Sequence, residues 1–347
     1  MIFYIDARVL SGKYLAGVAM YTITLIDALL DDGHTVICIS NKKVKLHRKH
    51  ECLTTKEIKS LRFVPGTIFI LFFVHFFIPN KAKFIGANHA VPIFGKFVSL
   101  PVIHDLNYKK VPETQTFINN LFQFISIRCS LLFCNKILFV SNYTKQEAKK
   151  DKLISGRHKT LVLSNVPKLL PVKEPKDNRL NRKYILCLGS LEPRKNLNSI
   201  IDLFPALGLS QNLDLVLIGP PGWKNKSLYA KINASNRASF VKYLGYLPQE
   251  EVGWYMKNCE VFCMPSRYEG FGIPQFEALL LGAKVVGSKH SELQFYSNSN
   301  NVWLYDFETD NLCKLLNEAI KSKKCLNNYQ SQRFNIKKLV MFADDLL

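Results

Sequence analysis

Two carboxylates, Glu269 and Glu277, bracket the string Gly270-Phe271-Gly272-Ile273-Pro274-Gln275-Phe276. The string follows an apolar run at 261–265, and Pro274 stands where a helix begins, a position proline tolerates because the amide it lacks has no intrahelical partner there. Gly270 and Gly272 let the backbone come close to a ligand. A helix N-terminus behind such a loop turns N–H groups toward an anion. A diphosphate suits that cradle. Ionised carboxylates only accept hydrogen bonds, so beside a diphosphate their work is to hold hydroxyls. A sugar nucleotide has hydroxyls on both sides of its diphosphate. That makes Glu269 a candidate for the sugar and Glu277 for the ribose. Either glutamate alone reads as an ordinary loop or helix-surface residue; the whole string favours a site.

A second constellation lies at 184–196, where YILCLGSLE is followed by Pro193-Arg194-Lys195-Asn196. Gly189 closes the apolar run and Asn196 is a good cap for the helical pattern that follows. Arg194 and Lys195 thus sit in a strand-to-helix loop, where fixed cations can stabilise the charge gathering on a departing diphosphate. A solvated Arg-Lys pair is the bland alternative. Further forward, PVIHD places His104 and Asp105 at a strand end. His104 is read as a donor to a sugar hydroxyl or phosphate, or else as a satisfied core histidine. Gly17 precedes a helical run, and Ser141 ends the apolar ILFV. No Asp-x-Asp pair offers a metal site. Asp306, Glu308 and Asp310 alternate but stand far from these loops, so no metal and no cofactor is expected.

The run from Glu269 to Ala278 resembles the E-x7-E signature of retaining glycosyltransferases of family four, which have the GT-B fold. The segment from Gly189 to Asn196 resembles that family's G-x-L-x-x-R-K-N loop, VIHDL its H-D-L segment, and Val140 to Glu147 its V-S-x-x-[ST]-x-x-E segment. GKYLAGVAMY is similar to its first glycine-bearing loop. The resemblance implies that Glu269 lies near the donor sugar and Glu277 holds the ribose. It places the amides around 271–273 at the diphosphate, Arg194 and Lys195 in two phosphate-binding positions, and His104 against the donor sugar. It further implies metal-independent transfer with retention, and a role in O-antigen, capsule or lipopolysaccharide assembly. One departure stands at Gln294, where the family commonly has a glutamate. The donor is then a nucleotide-sugar, GDP- or UDP-linked, with mannose the first choice of sugar.

These residues need elements to carry them. Apolar runs at 2–6, 35–40, 83–85, 101–104, 136–141 and 160–163, then at 184–189, 213–219, 240–245, 261–265 and 284–288, alternate with helical patterns such as 18–30, 142–153 and 197–207. Runs apolar throughout suit strands covered on both faces, and the alternation is that of stacked βα units. The class is α/β: a GT-B arrangement of two Rossmann-like domains with parallel sheets facing across a cleft. The stretch 164–183 holds three prolines and many charges, a linker composition. The domains are set at 1–170 (acceptor side) and 184–330 (nucleotide-sugar side), with a linker at 171–183. A helix within 331–347 is expected to pack back on the first domain. Ligands of open α/β sheets bind beyond the carboxyl ends of the strands, where every motif above falls.

Bulk properties narrow the partners. The 347 residues hold 47 Lys and Arg against 27 Asp and Glu, a net charge of +20. Residues 1–180 carry 27 basic and 12 acidic side chains, so the first half holds most of the excess. Such a field attracts nucleic acid, anionic lipid or phosphorylated ligands. No recognition helix or stacking motif supports nucleic acid. Nine cysteines without a Cys-x-x-Cys pair argue for a reducing compartment. The run 67–78, TIFILFFVHFFI, is too short to span a bilayer as a helix; it reads as a buried helix or as a segment dipping into a membrane interface. A lipid-linked oligosaccharide acceptor at an anionic membrane surface follows, with the chain cytoplasmic and peripheral on the inner face. A nucleotide-sugar epimerase and a non-catalytic sugar-nucleotide-binding scaffold are the competing readings. The first would convert donor without an acceptor, and the second would dispense with the Arg194, Lys195, Glu269, Glu277 set.

Overall fold

The computed structural model describes the whole chain apart from residues 13–16, 45, 47, 177–179, 181, 237–239, 326–328, 330–332 and 345–347. The loop before Gly17, part of the expected linker and the end of the expected second domain therefore lie outside the described residues. The chain forms two compact units. The first comprises Met1–Tyr108, Thr116–Val166 and Arg333–Leu347; the second comprises Lys109–Gln115 and Pro167–Gln332.

The first unit is built on seven parallel strands: β1 (Ile2–Asp6), β2 (Thr35–Ser40), β3 (Leu53–Glu57), β4 (Lys83–Gly86), β5 (Val98–Ile103), β6 (Lys136–Phe139) and β7 (Lys159–Val162). They lie in the order β3-β2-β1-β4-β5-β6-β7. Parallel neighbours cannot be joined by hairpins, so the chain crosses over between them. The helices Val18–Asp31, Phe117–Phe133 and Asn142–Lys150 are among the crossovers. β3 escaped the apolar-run reading because it is an edge strand of sequence LTTKE with only its leucine buried. The expected helix 142–153 stops at Lys150.

The second unit holds six parallel strands: β8 (Lys183–Leu188), β9 (Leu213–Ile218), β10 (Val241–Gly245), β11 (Val261–Met264), β12 (Val285–Ser288) and β13 (Val302–Tyr305), in the order β10-β9-β8-β11-β12-β13. All six residues of β9 are buried, as expected of a strand covered on both faces. The one charge among them, Asp214, receives Lys242 Nζ at 2.9 Å, which offsets the cost of burying it. The helices Leu197–Gln211 and Leu312–Lys321 pack against this sheet, with Phe204 and Leu316 fully buried in one core.

Segment 67–78 is one continuous coil of mixed pitch, passing from α (Gly66–Ile68) through π (Phe69–Phe73) to 3-10 (Val74–Phe77). Phe69, Ile70, Leu71 and Val74 are fully buried, while Phe72 and Phe76 remain exposed. The C-terminal helix Ile336–Asp344 belongs to the first unit. There Lys136 Nζ donates to the Ala343 carbonyl at 3.3 Å, and Phe334 meets the Tyr21 ring edge-on.

Candidate active site

In the second sheet the strand order reverses between β8 and β11, which are direct neighbours. At such a reversal the loops following the two strands diverge and leave a crevice at their carboxyl ends. The β8 loop brings Arg194 and Lys195 there on a short 3-10 turn, Pro193–Lys195. The β11 loop brings Glu269. Lys195 Nζ donates to Glu269 Oε1 at 2.7 Å, and Arg194 Nη1 lies 2.7 Å from Glu269 Oε2. The second arm of Arg194 donates to Glu192 Oε1 at 2.8 Å, and Nη1 also donates to the Tyr268 carbonyl at 2.9 Å. All four charged side chains are nearly buried.

Burial alone would raise the Glu269 carboxyl; Arg194 and then Lys195 outweigh it and hold it at about 2. The cluster has two cations and two carboxylates, so its formal charge is zero. Arg194 and Lys195, expected in this strand-to-helix loop, are both engaged by Glu269.

Glycine is required beside this cluster. Gly189, the residue after β8, has φ +143°, and a Cβ there would lie 3.1 Å from Lys195 Cε. Gly272, with φ +90°, precedes the helix Ile273–Leu280 in left-handed conformation; a Cβ there would collide with the Gln275 side chain. Gln275 is fully buried and its amide N–H donates to the Gly272 carbonyl at 3.0 Å. Pro274 has no N–H to offer. Backbone N–H groups for the expected anion cradle can thus come only from before Pro274, around Gly270, Phe271, Gly272 and Ile273. The Phe271 ring faces the Phe276 ring at 4.7 Å and anchors the loop in the core. The Glu269 amide donates to the His290 carbonyl at 2.8 Å, which fixes the loop on its other side.

Glu277 lies one turn into the same helix. Burial raises its carboxyl to about 7, against the opposing effects of the Lys168 charge and backbone N–H. At neutral pH it is therefore only partly ionised, which corrects the reading of Glu277 as a purely accepting carboxylate.

The first unit carries the other candidates. His104 follows β5 and is buried. Its Nε2 lies 2.8 Å from the Ala87 carbonyl; a carbonyl only accepts, so Nε2 carries the proton. Burial, reinforced by the neighbouring His89, lowers His104 to about 3. The ring is neutral, with Nδ1 as an acceptor. The expected hydrogen-bond donor toward a ligand is thus corrected to an acceptor from a hydroxyl. Ser141 is fully buried and its Oγ caps the helix Asn142–Lys150, accepting from the Thr144 amide at 2.9 Å. This is a helix-capping role, which the sequence reading did not assign to it. Gly17 caps the helix Val18–Asp31 at φ +37° with open space where a Cβ would stand.

Sequence reasoning passed over Glu192, Lys168, His290 and His89. Glu192 lies inside the quoted SLEPRK string and was legible as a partner for a cation two residues on. The other three act through backbone groups or through charge at close range, which no residue spacing signals. It also missed the packing of 109–115 with the second unit. There Trp223 Nε1 donates to the Thr114 carbonyl at 2.9 Å, and Arg267 Nη1 donates to Glu113 Oε1 at 3.1 Å. Asp306, Glu308 and Asp310 form a turn: the Asp306 amide donates to Asp310 at 2.8 Å and the Glu308 amide to Asp306 at 3.2 Å. Among the described residues no group of three His, Cys, Asp or Glu side chains is arranged to hold a metal ion.

Comparison with known proteins gives a consistent picture. Residues 172–335 match the family described as Glycosyl transferases group 1. O-antigen chain mannosyltransferase B of Escherichia coli is 27% identical over 206 residues, covering 56% of this chain and 54% of that protein. The chain thus matches about half the length of that relative. Among solved structures, WaaG, a glycosyltransferase involved in lipopolysaccharide biosynthesis, superposes with a TM-score of 0.64 at 13% identity over 93% of this chain and 91% of its own. Anabaena HepE in complex with UDP-glucose gives 0.65 at 18% identity over 92% and 89%. Both share the fold, two parallel-sheet α/β units of the GT-B kind.

Proposed function

We propose, from the premise that this chain belongs through residues 172–335 to the Glycosyl transferases group 1 family, that it transfers a hexose from a nucleotide-sugar to a growing surface glycan. The carrying observation is the buried Arg194, Lys195, Glu269 cluster at the strand-order reversal of the second sheet. The sugar is read as mannose, after the activity named for the Escherichia coli relative. The acceptor is read as a lipid-linked or lipopolysaccharide glycan, met by a peripheral protein on the inner face of the cytoplasmic membrane. No helix among the described residues is long and apolar enough to cross a membrane.

In this reading Lys195 and Arg194 turn from Glu269 to the diphosphate and stabilise the charge that builds as it leaves. Glu269, released from them, accepts from a hydroxyl of the transferred sugar and fixes its ring. Glu277 accepts from the ribose. Backbone amides around 271–273 receive phosphate oxygens. The bond from the anomeric carbon to the diphosphate oxygen breaks while the acceptor oxygen bonds to the same face. The acceptor proton passes to a phosphate oxygen, so configuration is retained. Cations from the chain fill the part a metal plays in other diphosphate-leaving reactions, so turnover is expected to survive EDTA.

Calorimetric titration with UDP, GDP and their sugar conjugates in EDTA tests the reading. One nucleotide is expected to bind, with Lys195→Ala weakening it. Turnover in Lys195→Ala and Glu269→Ala is expected to fall about 10²–10³-fold, the effect of losing one preorganised partner. Absence of binding to every nucleotide would overturn the assignment.

A further inference from the structure

The helix Phe117–Phe133 of the first unit is apolar on two faces. It buries Ile127 and Leu131 together with Ser126 and Ser130. Ser126 Oγ donates to the Phe122 carbonyl at 2.7 Å, and Ser130 Oγ accepts from the Val91 amide at 3.2 Å. Most of its exposed positions are apolar as well: Phe117 is 80% exposed, and Leu121, Phe124 and Leu132 follow. With Arg128 these recur every three or four residues, which puts them in one stripe roughly 22 Å long at 1.5 Å per residue. A surface helix ordinarily turns such a stripe inward.

The neighbouring coil carries exposed rings of its own. Ile125 and Cys129 of the helix pack on the cluster formed by Phe69, Ile70 and Val74. From that coil Phe76 stands 73% exposed, and just ahead of it Phe63 is 83% exposed. Single exposed apolar residues need no explanation, but contiguous groups on a monomer mark an interaction surface.

The charges around these rings identify the partner. The Arg62 guanidinium lies over the Phe63 ring at 4.5 Å, and that of Arg128 over the Phe124 ring at 5.7 Å. Neither 58–104 nor 114–146 contains a single Asp or Glu, while Lys59, Arg62, Lys96 and Arg128 fall within them. The carboxylate that meets the helix, Asp105, accepts from Gln123 at 2.5 Å. Rings that project from two elements with cations beside them complement a layer of phosphate over hydrocarbon. The rings enter the acyl boundary and the guanidinium groups stay at the phosphates. A second copy fits less well, because a two-fold contact sets Arg62 and Arg128 against their own copies.

We propose that this face is the membrane-docking surface of the chain, with the helix Phe117–Phe133 lying in the plane of an anionic bilayer. It deepens the membrane-acceptor part of the proposed function and rests on it only for its purpose. Docking is measured without turnover, so the two readings fail separately.

The full chain is sedimented with vesicles of phosphatidylcholine alone and of phosphatidylcholine with phosphatidylglycerol at about three to one. It is expected to bind the anionic vesicles preferentially. Phe117→Ser/Leu121→Ser/Phe124→Ser is expected to weaken that binding about tenfold or more through lost apolar insertion. Arg62→Glu/Arg128→Glu is expected to abolish the preference for phosphatidylglycerol. Nucleotide binding should match the parent in both, which also reports that they fold. If the triple variant fails to fold, Phe63→Ser/Phe76→Ser provides the same test from the coil. Parent-like vesicle binding by folded variants would overturn the proposal, as would a parent chain that ignores anionic vesicles. So would a triple variant that turns a dimer into a monomer in sedimentation velocity while vesicle binding is unchanged; that outcome assigns the face to a second copy.

Discussion

Glu277 titrates in the range where most enzymes are assayed. Burial lifts its carboxyl to about 7, while the ion pairs keep Glu269 ionised down to about 2. If Glu277 accepts from the ribose, nucleotide affinity should rise between about pH 6 and pH 8 as it ionises. Glu277→Gln should flatten that dependence, and calorimetry across the range reads both. The sign for stability is opposite. A carboxyl raised in the folded state binds its proton more tightly there, so folding stability falls as pH rises from the ordinary carboxylate range through 7. Glu269→Gln tests the other carboxylate. It strands Arg194 and Lys195 in a nearly buried site, and a loss of about 3–5 kcal/mol is expected for removing one partner of a buried pair. Denaturant unfolding of the second unit measures it.

At the scale of the element, backbone conformation governs the site. Gly189→Ala combines a positive φ with a Cβ 3.1 Å from Lys195 Cε. It should displace the lysine and weaken nucleotide binding about tenfold or more while the unit stays folded, since the neighbour that must move is a flexible side chain. Gly287→Ala differs: its Cβ would collide with both Gln275, which is fully buried, and Leu293. The expected result is a destabilisation of about 1–3 kcal/mol, as for overpacking a core, visible as a lower denaturant midpoint.

At the scale of the whole molecule, the C-terminal helix Ile336–Asp344 completes the first unit although it follows the second in sequence. Leu339 is fully buried and Phe334 packs on Tyr21. Removing residues 333–347 should destabilise the first unit and leave nucleotide affinity in the second intact. Two resolved thermal transitions, with only one shifted, would show this. A uniform loss of both would mean that the units do not unfold independently.

Much of this architecture was legible in the chain. Runs apolar on both faces placed the central strands, because a sheet covered by helices leaves no face for alternation. The glycine, proline and glutamate spacing at 269–277 and the Arg-Lys pair at 194–195 marked residues of which Arg194, Lys195 and Glu269 come together, because loops after parallel strands are where such groups can gather. The edge strand β3 was not legible, since a half-exposed strand needs little apolar side chain. Only the tertiary structure decided that Arg194 and Lys195 close on Glu269 across 74 residues of sequence, that His104 points its proton at Ala87, and that Glu277 is lifted to about 7. Each depends on which groups lie within a few ångströms in a medium of low dielectric, and hydrogen-bond direction and pKa are set by that neighbourhood rather than by residue type.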